Sequence, residues 1–378
     1  MEVRHSSPYR TLQKHLDKFP IGFPATESGV EIRLLQHLFS EKEARIAAKL
    51  NLIGEPATRI FKRIGNVVAD LGELERSLDD MEAKGIISGH VGRNGSKYYQ
   101  VAFLVIGIFE FRVEIMTKEF YRLFKQYLDE AFVDELVHTR IPQLRTVPTE
   151  GSIAPELPIL PYDHVRQLID GFQKEILVAN CVCRVAEDTV ERPCKVTKNR
   201  ETCLIFGSAA RKYERLGWGR SIEKSEVFEI LQRAEKDGLV VQPSNTQKPF
   251  AMCLCCGCCC EMLTSARRLE NPVQYFATNF EAVVDRESCD GCKICRKRCQ
   301  MSAVTVKEKK AFVDESRCIG CGVCVPTCKS GSITLQRKET VRTPPKDAAR
   351  LYLDIMKKRA GKAKYTVMLT KQLLGRLV

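Results

Sequence analysis

Two stretches, CDGCKICRKRC (289–299) and CIGCGVCVPTC (318–328), decide how this sequence is read. Each has the spacing C-x2-C-x2-C-x3-C, and the second follows the first at an offset of 29 residues. The flanks repeat with them. Val283-Val284-Asp285 returns as Phe312-Val313-Asp314, and Val304 and Val306 return as Ile333 and Leu335. Each half reads as strand, cysteine loop, short helix, strand. Three cysteines at this spacing let one loop present three thiolates to three irons of a cubane. The fourth, on the following helix, points away toward a second cube. The repeat therefore predicts crossed ligation, with Cys289, Cys292, Cys295 and Cys328 at one cluster and Cys318, Cys321, Cys324 and Cys299 at the other. Gly291 and Gly320, with Gly322, keep side chains out of loops where backbone N–H groups can donate to sulfur. The competing reading is paired zinc sites. Zinc takes four ligands in two pairs, which leaves the third cysteine of each loop unused.

On these residues, the segment 280–337 resembles the bacterial two-[4Fe–4S] ferredoxins. It departs from them where a proline usually follows the fourth cysteine, a place taken by Gln300 and Lys329. The resemblance implies two [4Fe–4S] clusters that carry single electrons at low potential. Lys293, Arg296, Lys297, Arg298 and Lys329 crowd the loops, and positive charge favours the reduced cluster. Potentials at the higher end for such ferredoxins are expected.

All 18 cysteines lie between Cys181 and Cys328. The opening residues MEVRHSSPYR show no secretory pattern, and the apolar run Val101 to Phe111 carries Glu110 and is too short to span a bilayer. The expected compartment is thus the reducing cytoplasm, where dense cysteines bind metal rather than pair as disulfides. Ten cysteines precede the repeat: Cys181, Cys183, Cys194, Cys203, Cys253, Cys255, Cys256, Cys258, Cys259 and Cys260. The first four are enough for one additional cubane, and the last six supply a further site or complete the first. Adjacent cysteines point in different directions, so CLCCGCCC cannot deliver all six thiolates to one cluster. One or two further iron–sulfur centres, structural zinc and reactive free thiols all remain open. Cys255-Cys256-Gly257 resembles, at a different spacing, the CCG elements of heterodisulfide-reductase-type subunits.

Elsewhere the pattern is that of an ordinary globular chain, with 44% hydrophobic and 28% charged residues. Val30, Leu34, Leu35 and Leu38 recur at helical spacing, Ser40 and Glu43 form a capping-box pair, and a helix over about 67–84 stops at Gly85. Ile86 and Ile87 then run into the turn Gly92-Arg93-Asn94-Gly95, with Tyr98, Tyr99 and Val101 returning. These helices and the glycine-tipped hairpin resemble a winged helix-turn-helix domain. The helix that would enter a major groove carries Asp70, Glu73, Glu75, Asp79, Asp80 and Glu82 against Arg76 and Lys84, with only Arg93 and Lys97 on the wing. That charge opposes DNA binding and favours a packing or docking role. A further helix from Lys118 to Val137 buries Phe120, Leu123, Phe124, Tyr127, Leu128 and Phe132.

The expected architecture is α+β in five parts. Residues 1–141 form the winged-helix-like domain with its following helix, and 142–161, with five prolines, form an extended linker. A cysteine-rich middle domain spans 162–279 and holds a helix over 224–236, the strand 239–241 and a turn at Gly217-Trp218-Gly219-Arg220. The ferredoxin-type domain spans 280–337. Residues 338–378 form a helical tail, and from Arg337 on there are 12 basic residues against three acidic ones, +9 of the chain's net +13. The tail is read as a dock for an acidic protein or membrane surface, or as an ordinary solvated helix.

No catalytic residue is identified. His5, His15, His37, His90, His138 and His164 are scattered, and neither GxGxxG nor GxxxxGK[ST] appears. The leading reading is an iron–sulfur electron carrier serving a partner oxidoreductase, rather than a stand-alone enzyme. The alternatives are a redox-sensing winged-helix regulator and an iron–sulfur subunit of an oxidoreductase.

Overall fold

A computed structural model describes residues 7–92 and 94–377. His5, Arg93 of the hairpin turn and most of the N-terminal stretch read for a secretory pattern lie outside the described residues. The fold is α+β and divides into two compact units, Met1–Thr139 with Tyr352–Val378, and Arg140–Leu351.

In the first unit, helices Val30–Leu38 and Glu41–Ala47 follow the apolar spacing, and Ser40 closes a reciprocal capping box with Glu43. Helix Leu71–Ala83 is capped by Asp70, whose carboxylate accepts the Glu73 N–H at 2.7 Å. It ends before Gly85 at φ +69°. Strands β1 (Ile87–Val91) and β2 (Lys97–Val101) form the hairpin. The sequence pattern did not reveal helices Pro8–Leu16 and Ala57–Ile64, which also belong to this unit. Several acidic groups of the 71–83 helix are paired with lysines of neighbouring elements: Glu73 with Lys42 at 2.5 Å and Asp79 with Lys97 at 2.8 Å. The long helix expected over 118–137 runs as Lys118–Tyr127, a wider turn at Leu128–Phe132, and Val133–His138.

The tail helices are Ala348–Ala360 and Lys362–Leu373. From Tyr352 on, the tail is part of the first unit rather than a free arm. Ile355 and Met356 are buried, and Arg359 binds Asp17 at 2.9 Å and Glu135 at 2.7 Å. Lys357 and Lys358 remain exposed.

The second unit is built on a five-stranded antiparallel sheet. Its strands are β3 (Ile176–Asn180), β4 (Glu201–Phe206), β5 (Arg220–Ser221), β6 (Val240–Pro243) and β7 (Ala251–Cys255), in the order β5-β3-β4-β7-β6. Strand side chains alternate between faces. Val178, Leu204, Met252 and Leu254 enter one apolar core with helix Lys224–Asp237. Val240 and Cys255 enter another, shared with the ferredoxin-type repeat. That repeat adds β8 (Phe280–Val284), β9 (Val304–Lys307), β10 (Lys310–Val313) and β11 (Ile333–Arg337), paired as β8 with β11 and β9 with β10.

One expectation is corrected here. The proline-rich stretch is packed chain rather than an extended linker: Val147 is fully buried and bonds Val241, and Arg145 bonds the Pro243 carbonyl. Proline removes donors but leaves the intervening residues free to bridge. The turn expected at Gly217-Trp218-Gly219 is present, with Gly217 at φ +69° and its N–H bonded to the Glu214 carbonyl at 3.1 Å; the chain then enters edge strand β5, and Trp218 is buried.

Candidate metal centres

The repeat places its first three cysteines around a cavity whose lining includes Cys289, Cys292, Cys295 and Cys328, with Val284, Val306 and Ile333 as apolar walls. The sulfur charges that act on Cys295 come from Cys292, Cys289 and Cys328. Those that act on Cys321 come from Cys299 and Cys318, and on Cys324 from Cys321, Cys318 and Cys299 before Cys295. In each half, then, the fourth cysteine lies with the other half's loop.

The loop geometry explains the glycines. Gly291 and Gly320 sit at φ +71° and +62°, and a Cβ on either would collide with a carbonyl, that of Lys309 or Phe280. Backbone amides donate to sulfur as expected: Ala303 N–H to Cys299 at 3.2 Å, Ala282 N–H to Cys318 at 3.4 Å and Ala311 N–H to Cys289 at 3.4 Å. The first half has the expected short helix, Ile294–Arg298. The second half has turns instead, since Pro326 lacks the N–H that a helix there would need.

Burial pushes the Cys321 thiol up to about 12 and raises Cys318 and Cys324 as well. Thiolates at these positions require a compensating cation, which is what an iron–sulfur core supplies. Of the basic residues near the first loop, Arg298 is committed elsewhere: its guanidinium donates to the carbonyls of Val323, Lys236 and Glu235 at 2.6–3.0 Å. Cys292 alone of the 18 cysteines is exposed.

The departure at Gln300 has a structural role. Its side chain is buried, accepts the Gly257 N–H at 2.7 Å and donates to the Gly238 carbonyl at 2.9 Å. A Cβ on Gly257 would stand 2.5 Å from the Gln300 carbonyl oxygen. Gln300 therefore clamps the CCGCCC loop onto the residue that follows Cys299, a bond that proline could not make.

The structure does not gather Cys181, Cys183, Cys194 and Cys203 at one site. The ten middle thiols separate into a group of four and a group of six. Cys194 joins Cys256, Cys258 and Cys259, with all four sulfurs within 4.8 Å of one another. The six others run as a chain of contacting thiols, Cys181–Cys183–Cys260–Cys255–Cys253–Cys203. Strand alternation explains the split. Cys253 and Cys255 share one face of β7, and Cys203 on β4 is the register partner of Cys253. Cys256 and Cys259 turn into the core on the opposite face, while Cys255 and Cys260 belong to the core shared with the repeat. Sequence reasoning missed Arg184, a fully buried arginine whose charge faces Cys181, Cys256 and Cys194. The only signal was its position directly after Cys183.

A family model described as a 4Fe-4S binding domain matches residues 311–334, the stretch that carries Cys318, Cys321, Cys324 and Cys328. The chain thus contains a ferredoxin-type iron–sulfur domain with at least one 4Fe–4S cluster. No curated protein and no solved structure matches the chain. Among the described residues, no helix is long and apolar enough to cross a membrane.

Proposed function

We propose that this chain is an electron carrier that passes single electrons to a partner oxidoreductase through two [4Fe–4S] clusters. Cys289, Cys292, Cys295 and Cys328 hold one cluster, and Cys318, Cys321, Cys324 and Cys299 hold the other. The observation that supports this is that Cys328, the fourth cysteine of the second half, lines one cavity with the three cysteines of the first loop. The six-thiol chain is a further centre, and three of its members, Cys253, Cys255 and Cys260, lie in the same apolar core as Cys299, Cys318 and Cys324. Cys292, exposed in its loop, marks the edge of the first cluster from which electrons leave to the partner. Thiolate-held clusters of this kind belong in a reducing compartment, which favours the cytoplasm. The N-terminal helices and hairpin serve in this reading as a winged-helix-like docking element, their acidic helix being better suited to a protein than to DNA.

Iron and acid-labile sulfide per chain after anaerobic purification, with EPR of the dithionite-reduced protein, test the proposal. About eight irons are expected from the repeat alone and about twelve with one further cubane. Four or fewer irons, or a protein that gives no reduced signal, would end the two-cluster reading.

A further inference from the structure

We propose that Cys194, Cys256, Cys258 and Cys259 bind a single zinc ion in a closed tetrahedral thiolate site, separate from the iron–sulfur clusters. The distances carry the argument. Cys194 lies 3.6 Å from both Cys256 and Cys258, Cys256 lies 3.6 Å from Cys258, and Cys258 lies 3.5 Å from Cys259. Four thiolates at about 2.3 Å from one zinc stand about 3.8 Å apart along each edge of the tetrahedron. Thiolates at the four corners of a cubane stand much farther apart, about 6 Å. The same molecule supplies the contrast: among the described residues this is the one group drawn so close, and the eight cysteines of the repeat form no such group.

The surroundings fit a structural ion. The four thiols pack against an apolar core that includes Val178, Leu204 and Leu254, and all four ligands come from the chain itself. A closed four-ligand site leaves no position for substrate. On binding, the four thiols release their protons and the centre carries a net charge of about −2. Arg184 is placed to answer that charge. Its guanidinium donates to the Thr202 hydroxyl and, at 2.9 Å, to the Leu254 carbonyl, both neutral, and its Nε is buried with no hydrogen-bond partner. The Thr197 N–H donates to the Cys194 sulfur at 3.4 Å. A fully buried guanidinium is costly unless anions lie nearby, and the sulfurs of this group are among those it faces. The ion would staple the Cys194 loop to the CCGCCC turn and hold Gly257 against Gln300.

The test uses full-length protein purified anaerobically with its clusters. Zinc and iron are measured per chain for the parent, Cys194→Ser and Cys259→Ser, with the reduced EPR spectrum of each. X-ray absorption at the zinc edge of the parent is independent of whether the variants fold. About one zinc per chain is expected, in a single shell of four sulfurs at about 2.3 Å with no neighbouring metal. Both substitutions should lower zinc at least tenfold while iron and the EPR signals stay unchanged. A parent without zinc, a zinc shell with fewer than four sulfurs, or variants that lose about four irons instead of zinc would overturn the assignment. Loss of the iron–sulfur signals in the parent would count against the electron-carrier reading and leave this one standing on its zinc.

Discussion

Replacing Gln300 by leucine removes two buried hydrogen bonds while keeping roughly the same volume. The Gly257 N–H, now 2.7 Å from Oε1, and the Gly238 carbonyl, 2.9 Å from Nε2, are left without these partners. An unsatisfied buried backbone group costs about 1–3 kcal/mol, so the pair costs about 2–6 kcal/mol, which apolar burial of the leucine offsets in part. A net loss of about 3 kcal/mol in a unit of this size lowers the melting temperature by about 6–12 °C. Scanning calorimetry of the anaerobic holoprotein at one fixed scan rate reads the shift, and fluorescence of Trp218, the only tryptophan and buried in the same unit, assigns it. Gln336→Leu is the control, because Gln336 bonds Glu281 on the exposed face of β11. A Gln300→Leu midpoint within the scatter of that control would refute the clamp.

Three further outcomes follow from the geometry. Cys328→Ser should alter the same reduced EPR signal as Cys289→Ser, and Cys299→Ser the same signal as Cys318→Ser; uncrossed pairing of the signals would disprove the exchange. His15 is buried against Phe19 with Nε2 2.7 Å from the Leu50 carbonyl, and burial holds its pKa down at about 4, below the ordinary 6.5. The unfolded chain therefore binds the extra proton, so this contribution to stability is complete above about pH 6.5 and falls by about 3 kcal/mol toward pH 4. Urea unfolding of the first unit by circular dichroism should be less acid-sensitive in His15→Gln. Finally, Arg145 and Asp163 form a buried ion pair at 3.0 Å, with Asn279 donating to the same carboxylate at 2.8 Å. Arg145→Met strands that carboxylate at about 3–5 kcal/mol, read by denaturation at Trp218, and adding Asp163→Asn should recover part of the loss.

The repeat was legible because its signals are local: three cysteines in one loop, glycines at φ positive positions and flanking strands at a fixed offset. The repeat also led to the expectation that Cys328 lies with the first loop, and Cys328 lines the cavity there. The capping box at Ser40 and the helix stop before Gly85 were equally local signals. The partition of the ten middle cysteines was not legible. It depends on Cys203 facing Cys253 across two strands that are distant in sequence, and on β7 sending Cys253 and Cys255 to one face while Cys256 turns to the other. The proline-rich stretch misled for a related reason: Val147 is held by a bridge to β6, and no local pattern announces such a partner. Gln300 stood out only as a departure from the usual proline, yet its role lies in a second loop more than forty residues upstream.

Strand β8 zips to β11 over five residue pairs, from Ile333↔Val284 to Arg337↔Phe280. Every thiol of the repeat lies on the stretch of polypeptide between these two segments. During translation the ring they form cannot begin to close before Ile333 has left the ribosomal tunnel. All eight thiols of the repeat therefore emerge before the strand that closes the ring around them.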